Sequence, residues 1–397
     1  MAISKNAKKA MFIGTLCSVS YLAVYVARNL LSAVTPQMIS AGFTEEYIGN
    51  VSSMFLIFYA CGQLLNGIIG DKIKAKWMIG LGLLGAGVCN LIFPAISLNV
   101  SAPFVYGLVG FFLSMIYGPM TKVVSENMEL LYATRCSLGY TFASFFGSPA
   151  AGLFAAFLTW QSVFTIGSSI LIVMALLLLV FFTVFERKGL VKYGQYQAKQ
   201  KGLGNIKVLF QRQIVKFSLV SILTGVIRTS VVFWMPTYIS QYLGFSDSGA
   251  AKVFTIATFV ISFTTFIAIF VYERLRFNMD KTLLIMFISA TVFFLLTFFV
   301  KEKVANIVCL VLAIMSSNGA TTMLWSIYCP SLRDTGMVSS VTGFLDFLSY
   351  VAAAIANIVF ANAATTIGWG NLILVWTGIV IAGIVVALPF KKKQTVK

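Results

Sequence analysis

Twelve apolar stretches, each about 20 residues long, take up nearly all of this 397-residue chain: about 11–35, 47–70, 77–98, 102–125, 136–158, 162–185, 213–240, 248–272, 281–300, 304–328, 335–360 and 370–390. That is the length an α-helix needs to cross the hydrocarbon core of a bilayer. A backbone in lipid has no water to bond to, so spans of this kind must be helices. The chain is therefore read as an all-α membrane protein with twelve transmembrane helices and the lipid bilayer as its solvent. Only 10% of its residues are charged, against roughly a quarter in a soluble domain. No stretch remains for a soluble catalytic domain. Lys5, Lys8 and Lys9 ahead of the first run imitate a signal peptide. The run is too long for a signal h-region and no small-x-small site follows it, so it is read as the first span.

A net charge of +17 would suggest nucleic acid in a soluble protein, but here the placement of the charges accounts for it. Of 29 Lys and Arg, 24 fall at the termini or at alternate connections. These are the three N-terminal lysines, Lys72, Lys74, Lys76, Lys122, Arg135, eight residues from Arg187 to Lys216, Arg274, Arg276, Lys281, Arg333 and four C-terminal lysines. The other side carries only Lys252, Lys301 and Lys303. This positive-inside bias predicts that both termini and the 186–212 stretch are cytoplasmic. That stretch is the one break in composition, and it divides the chain into predicted six-helix bundles at 1–185 and 213–397 joined by a linker at 186–212. The six cysteines are scattered in or beside spans and read as apolar filler. There is no histidine, which excludes His-ligated metal and a His base. No nucleophile–base or metal constellation is present, so neither an enzyme, a metal site nor a cofactor is expected, and no nucleic-acid partner.

The halves repeat one another. "RNLLSAVTPQMISAGFT" starts at Arg28 and "RTSVVFWMPTYISQYLGFS" at Arg228. Each has a proline eight residues on (Pro36, Pro236), then Gly-Phe (Gly42-Phe43, Gly244-Phe245), then Thr44 or Ser246, suited to cap the next helix. A parallel duplication of six spans is the repeat logic of a major facilitator transporter, with substrate held near the midplane between the halves. "GIIGDKIKAK" (67–76) resembles that fold's loop between spans two and three, and Asp71 with Lys72 is a candidate gating pair. "YERLRF" at 272–277 is a worn copy in the second half.

Ions within the spans default to function, because each costs about 2.5–3.5 kcal/mol at the bilayer centre. The candidates are Arg28, Arg228 and Asp346. Tyr21, Tyr25, Ser32 and Thr35 stand −7, −3, +4 and +7 from Arg28 and so share its helix face, a polar stripe predicted to line an aqueous cavity. Ser221 and Thr224 share the face of Arg228. A guanidinium stays protonated and binds carboxylate or phosphate with a planar fork, so two of them converging from symmetry-related helices call for an anion. Asp346, flanked one turn away by Thr342 and Tyr350, has three readings: a fixed partner for Arg228, a proton carrier, or a contact for a substrate amine or hydroxyl. Further candidate substrate contacts are Tyr59 and Gln63 in span two, Tyr117 in span four and Asn318 in span ten, the last sharing a face with Thr322 and Trp325.

Four segments together resemble the organophosphate:phosphate antiporters, the group of glycerol-3-phosphate and hexose-phosphate transporters. They are "YLAVYVARNLLSAVTPQMISAGFTEEYIGNVSSMFLIFYACGQLLNGIIGDK", "YGPMTKVVSENM" (117–128), "VIRTSVVFWMPTYI" (226–239) and "GMVSSVTGFLDFLSY" (336–350). The second is similar to a Trp-Pro-Pro-Cys-x-Arg stretch of that family, with Lys122 in the basic place. The resemblance implies the major facilitator fold, phosphate binding by Arg28 and Arg228, alternating access, and inorganic phosphate as the exchange ion. A monomer in a bacterial cytoplasmic membrane is expected. The chain departs from the family in three places: Gln63 where a lysine is common, Ser144 where a histidine falls, and Asp346 where small residues are usual. The expected function is thus alternating-access transport of a small organic anion, a phosphorylated metabolite, by exchange with phosphate. The alternatives are a proton-coupled carrier using Asp346 and a transporter-like sensor of phosphate esters.

Overall fold

The computed structural model describes residues 5–70, 73–193, 210, 212–331 and 338–388. Apolar composition and the backbone's need for internal hydrogen bonds make every span a helix. The first three are α1 (Lys5–Ser40), α2 (Glu45–Gly70) and α3 (Ala75–Ile96). The fourth, α4, is two segments, Ala102–Ser114 and Tyr117–Asn127, and α5 is Leu130–Phe145 and Gly147–Phe157. After α6 (Trp160–Arg187), the second half runs α7 (Ile214–Tyr242), α8 (Asp247–Arg274), α9 (Met279–Phe299), α10 (Lys303–Tyr328), α11 (Val338–Thr366) and α12 (Gly368–Ala387). Helix α1 is longer at both ends than its apolar run. Helix α6 continues to Arg187, so the polar stretch starts inside a helix; 194–209 and 211 of the predicted linker lie outside the described residues.

Prolines account for the two broken spans. Proline lacks an N–H and its ring crowds the carbonyl four residues back. Pro119 bears on Met115, where α4 breaks, and Pro149 bears on Phe145, where α5 breaks. The second half accommodates the same problem differently. Helix α7 contains π-helical turns at Val226–Val231 and Tyr238–Tyr242, and α10 contains one at Met323–Tyr328.

The repeat is visible in the packing. Helix α3 packs on α4 and α6 as α9 packs on α10 and α12, and α1 packs on α5 as α7 packs on α11. Between the halves α2 meets α11 and α5 meets α8, a pair of contacts that the same six-helix shift exchanges. Gly42 and Gly244 both hold positive φ, +101° and +70°, which is why glycine ends each first span. Thr44 Oγ1 accepts from the Tyr47 amide and Ser246 Oγ from the Gly249 amide, so both predicted caps form. Glu302 caps α10 by accepting from the Val304 and Ala305 amides, which holds its carboxyl below the usual carboxylate range.

The described hydrogen bonds between the halves lie toward the face opposite the basic connections. Ser32 donates to the Phe233 carbonyl (2.7 Å), Ser53 to Ala354 (2.7 Å) and Asn357 to Ser52 (2.6 Å). Ser40 donates to Asp247, Gln241 to Glu45, Ser248 to the Ala156 carbonyl and Ser262 to the Phe145 carbonyl. On the basic face the described ion pairs stay within a half: Lys74 and Lys76 with Glu186, and Lys216 with Asp280.

Close approach of helices rests on small residues. A Cβ on Gly110 of α4 would fall inside contact distance of the Phe55 carbonyl of α2, whereas one on Gly378 of α12 meets open space. Gly110→Val is expected to destabilise by about 1–3 kcal/mol, the usual range for overpacking. Gly378→Val is expected to be near neutral. Thermal midpoints of the two purified variants check the contrast.

Candidate functional site

Arg28 lies midway along α1 with its guanidinium over three aromatic rings. Its Cζ is 5.6 Å from the Tyr25 ring, 4.9 Å from Tyr59 of α2 and 4.7 Å from Tyr350 of α11. Such contacts are worth about 0.5–2 kcal/mol each, more where water is excluded. Arg228 of α7 approaches the same Tyr350 ring from the second half, with Cζ at 5.6 Å. The two guanidinium carbons are thus separated by no more than the sum of the two ring distances, about 10 Å. Asp346, one turn before Tyr350 on α11, places Oδ1 4.0 Å from Arg228 Nη2.

The arginine of the second half is set by a π-helical turn, Val226–Val231, whereas Arg28 sits in continuous α-helix. Such turns recur at functional positions because they re-aim a side chain at the cost of regular bonding. Nε and Nη2 of Arg228 are buried without a hydrogen-bond acceptor. The Arg228 and Asp346 side chains as a whole keep 27% and 25% exposure, although Nη2 itself is buried. Toward the basic face Tyr21 packs on Tyr25 (5.0 Å), Tyr117 (5.5 Å) and Tyr140 (5.8 Å), an aromatic wall next to Arg28. Chemically, the cluster offers two permanent cations, free donors on Arg228, one carboxylate and a set of phenol rings. It can hold an anion between the halves. Among the described residues no group of His, Cys, Asp and Glu is placed to hold a metal.

The structure brings Arg28, Arg228, Tyr25, Tyr59 and Asp346 together around Tyr350, with Tyr117 joined through Tyr21. Gln63 is half-buried one turn from Tyr59, and the Asn318 Oδ1 is buried without a partner. Among the described residues no hydrogen bond, ion pair or ring contact joins Gln63 or Asn318 to either arginine. Asp71 and Lys72 lie outside the described residues.

The polar stripe on α1 is corrected in part. Ser32 is buried in the seam between the halves, and Thr35 donates to the Leu31 carbonyl (2.7 Å). Ser221 donates to the Leu345 carbonyl and Thr224 to Val220. A short hydroxyl in an apolar helix satisfies itself on the nearest carbonyl and does not need a cavity.

The Major Facilitator Superfamily model matches residues 17–357, most of the chain. The chain belongs to the Major Facilitator Superfamily. It is similar over 98% of its length to the glycerol-3-phosphate transporter of Bacillus subtilis (strain 168), at 20% identity and covering 94% of that protein. It is also similar to the phosphoglycerate transporter protein of Salmonella typhimurium (strain LT2), at 23% identity over 91% of this chain and 84% of that one. Its fold matches a bacterial homolog of the human lysosomal transporter Spinster, solved inward-facing and unoccupied, with a TM-score of 0.78, 13% identity and 97% of both chains covered. Membership makes the chain a multi-pass membrane transporter and not an enzyme.

Within this facilitator site the residue that sequence reasoning undervalued is Tyr350. Its spacing of four from Asp346 marked a shared face, but only the fold shows its ring against two arginines from different halves. Tyr350→Ala removes both contacts and the packing on Tyr59 (4.9 Å). A loss of about 3 kcal/mol or more is expected, as for other buried aromatic truncations. Tyr350→Phe is expected to keep most of that stability, as read from thermal midpoints.

Proposed function

We propose that this facilitator carries small phosphate esters by alternating access, in exchange for inorganic phosphate. The observation that carries the reading is the pair of guanidiniums from α1 and α7 on one tyrosine ring, with Arg228 donors unpartnered. A phosphate held by one guanidinium on each side, with N–O distances of about 2.8 Å, is compatible with guanidinium carbons no more than about 10 Å apart. The names of the full-length relatives, a glycerol-3-phosphate and a phosphoglycerate transporter, support phosphate esters as the substrate class.

The bundles are taken as 1–185 and 213–397, joined by 186–212, with both termini and the basic face cytoplasmic. The seam of hydrogen bonds then closes the outer side, and the described conformation faces inward. Arg28 and Arg228 hold the phosphate; Tyr25, Tyr59 and Tyr117 face the organic part; Gln63 and Asn318 extend the lining as the halves close. Asp71 and Lys72 belong to the gate on the cytoplasmic side. An anion bridging both arginines draws the halves together there and opens the seam. An empty site leaves two like charges facing one another, which resists closure and favours exchange over uniport. The carrier acts as a monomer, since one chain supplies both arginines.

Proteoliposomes loaded with phosphate test this. Wild-type protein is expected to take up labelled phosphate and glycerol-3-phosphate by counterflow. Arg28→Lys keeps the charge but loses the fork, and is expected to lower counterflow by about tenfold or more. Wild-type-like counterflow by Arg28→Lys would refute the anion clamp. Binding without any counterflow would identify a sensor instead of a carrier.

A further inference from the structure

Asp346 is the group in the site that phosphate binding does not use. Its carboxylate stands 4.0 Å from Arg228 Nη2, at the outer limit of an ion pair and well beyond the roughly 2.8 Å of a charge-assisted hydrogen bond. Among the described residues it makes no hydrogen bond, and Nε and Nη2 of Arg228 find no acceptor. A carboxylate and a guanidinium that existed to neutralise each other would close into a fork. These two are held apart, although about a quarter of each side chain is accessible.

Charge narrows the ligand further. Arg28, Arg228 and Asp346 together leave one positive charge in a site with few other ions. A phosphate monoester is close to a dianion at neutral pH, since its second pKa is about 6. It therefore overcompensates the site by about one charge and confronts Asp346 with like charge. A monoester that also carries an ammonium matches the site at net minus one and gives the carboxylate a cation. The groups facing Asp346 agree. Arg28 and Arg228 take the phosphate, and the tyrosines offer no charge.

Spacing limits where the amine must be. Asp346 and Tyr350 are four apart on α11, so their Cβ atoms lie about 5–6 Å apart. Tyr350 touches both guanidiniums and so marks the level along α11 at which they would hold a phosphate, and Asp346 marks a point one helical turn away. A two- or three-carbon chain between phosphate and amine covers that distance.

We propose that Asp346 is a substrate-binding carboxylate that selects amino-substituted phosphate monoesters, short aminoalkyl phosphates above all. The inference rests on the phosphate-ester reading and adds the second charge of the substrate. It departs from Asp346 as a fixed counter-ion, which would close on Arg228, and from Asp346 as a proton carrier, which would not discriminate an amine from a hydroxyl.

The test compares two nearly isosteric probes, 2-aminoethyl phosphate and 2-hydroxyethyl phosphate, on the full-length protein in detergent and in phosphate-loaded proteoliposomes. Wild type is expected to bind and exchange the amine at least tenfold better. Asp346→Asn is expected to reduce that ratio to about one or invert it, while still binding 2-hydroxyethyl phosphate, which also shows that the variant is folded. Equal affinity of wild type for the two probes overturns the proposal, even if the variant cannot be purified. An amine preference that survives in Asp346→Asn overturns it as well. If wild type binds inorganic phosphate and 2-hydroxyethyl phosphate but does not favour the amine, only this inference falls. If it binds none of the three, the phosphate-ester reading falls with it. Uptake driven by a pH gradient, with no amine preference and loss in Asp346→Asn, replaces the proposal with proton coupling.

Discussion

A guanidinium at mid-bilayer cannot shed its proton, so its cost must be met by surroundings. This chain holds two and surrounds them chiefly with phenol rings. Three rings face Arg28, one of those rings also faces Arg228, and the single carboxylate stands 4.0 Å away. Ring faces stabilise a cation through their quadrupole but accept no directional hydrogen bond in the way an oxygen does. The charge is therefore made tolerable without being neutralised, and Nε and Nη2 of Arg228 stay available. A site built from carboxylates would have satisfied the same arginines and left nothing for an anion to do.

That site has to be assembled from helices of both halves, and the duplication provides for it. The packing pairs of the first six spans recur in the second six, so Arg28 and Arg228 occupy equivalent helices. The copies are not identical in detail. From proline to the Gly-Phe corner the second half has two more residues than the first, and the π-helical turn at Tyr238–Tyr242 takes up extra chain there. A second π turn presents Arg228 itself. The halves thus share topology and ligand-binding charge but differ in how stiffly they present it, since irregular turns give up regular bonding.

Spans, repeat and intramembrane charges were legible because each is a property of composition or spacing along one helix. Arg28 and Arg228 declare themselves by being ions in apolar runs, and Gly42 and Gly244 by ending those runs. What was not legible depends on which neighbour a side chain meets. Ser32 and Thr35 fit the polar face of Arg28 by spacing, yet one bonds across the seam and the other bonds its own helix. Tyr350 is marked in the sequence only as a neighbour of Asp346, and its contacts with both arginines depend on how α11 packs against α1, α2 and α7. The breaks in α4 and α5 were readable in principle, since Pro119 and Pro149 each specify the carbonyl that is lost. Hydropathy alone passes over them because the segments on both sides are equally apolar.

The seam that joins the halves is suited to being broken. Beside the apolar packing of α2 on α11 and α5 on α8, its described polar contacts are seven hydrogen bonds, mostly serine hydroxyls on carbonyls, with no interbundle ion pair among the described residues. At about 0.5–1.5 kcal/mol net for each neutral bond and somewhat more for the two on carboxylates, the polar part of the seam sums to several kcal/mol. That is the same range as the binding free energy of a ligand with millimolar to micromolar affinity, about 4–8 kcal/mol. A ligand can shift a two-state equilibrium only by its differential affinity for the two states. A seam of strong buried ion pairs would lie beyond what a small anion could offset. A seam of single hydrogen bonds, two of them on the Asp247 and Glu45 carboxylates, lies nearer to it, and so the modest chemistry of the closed side and the strong charges of the site belong to one mechanism.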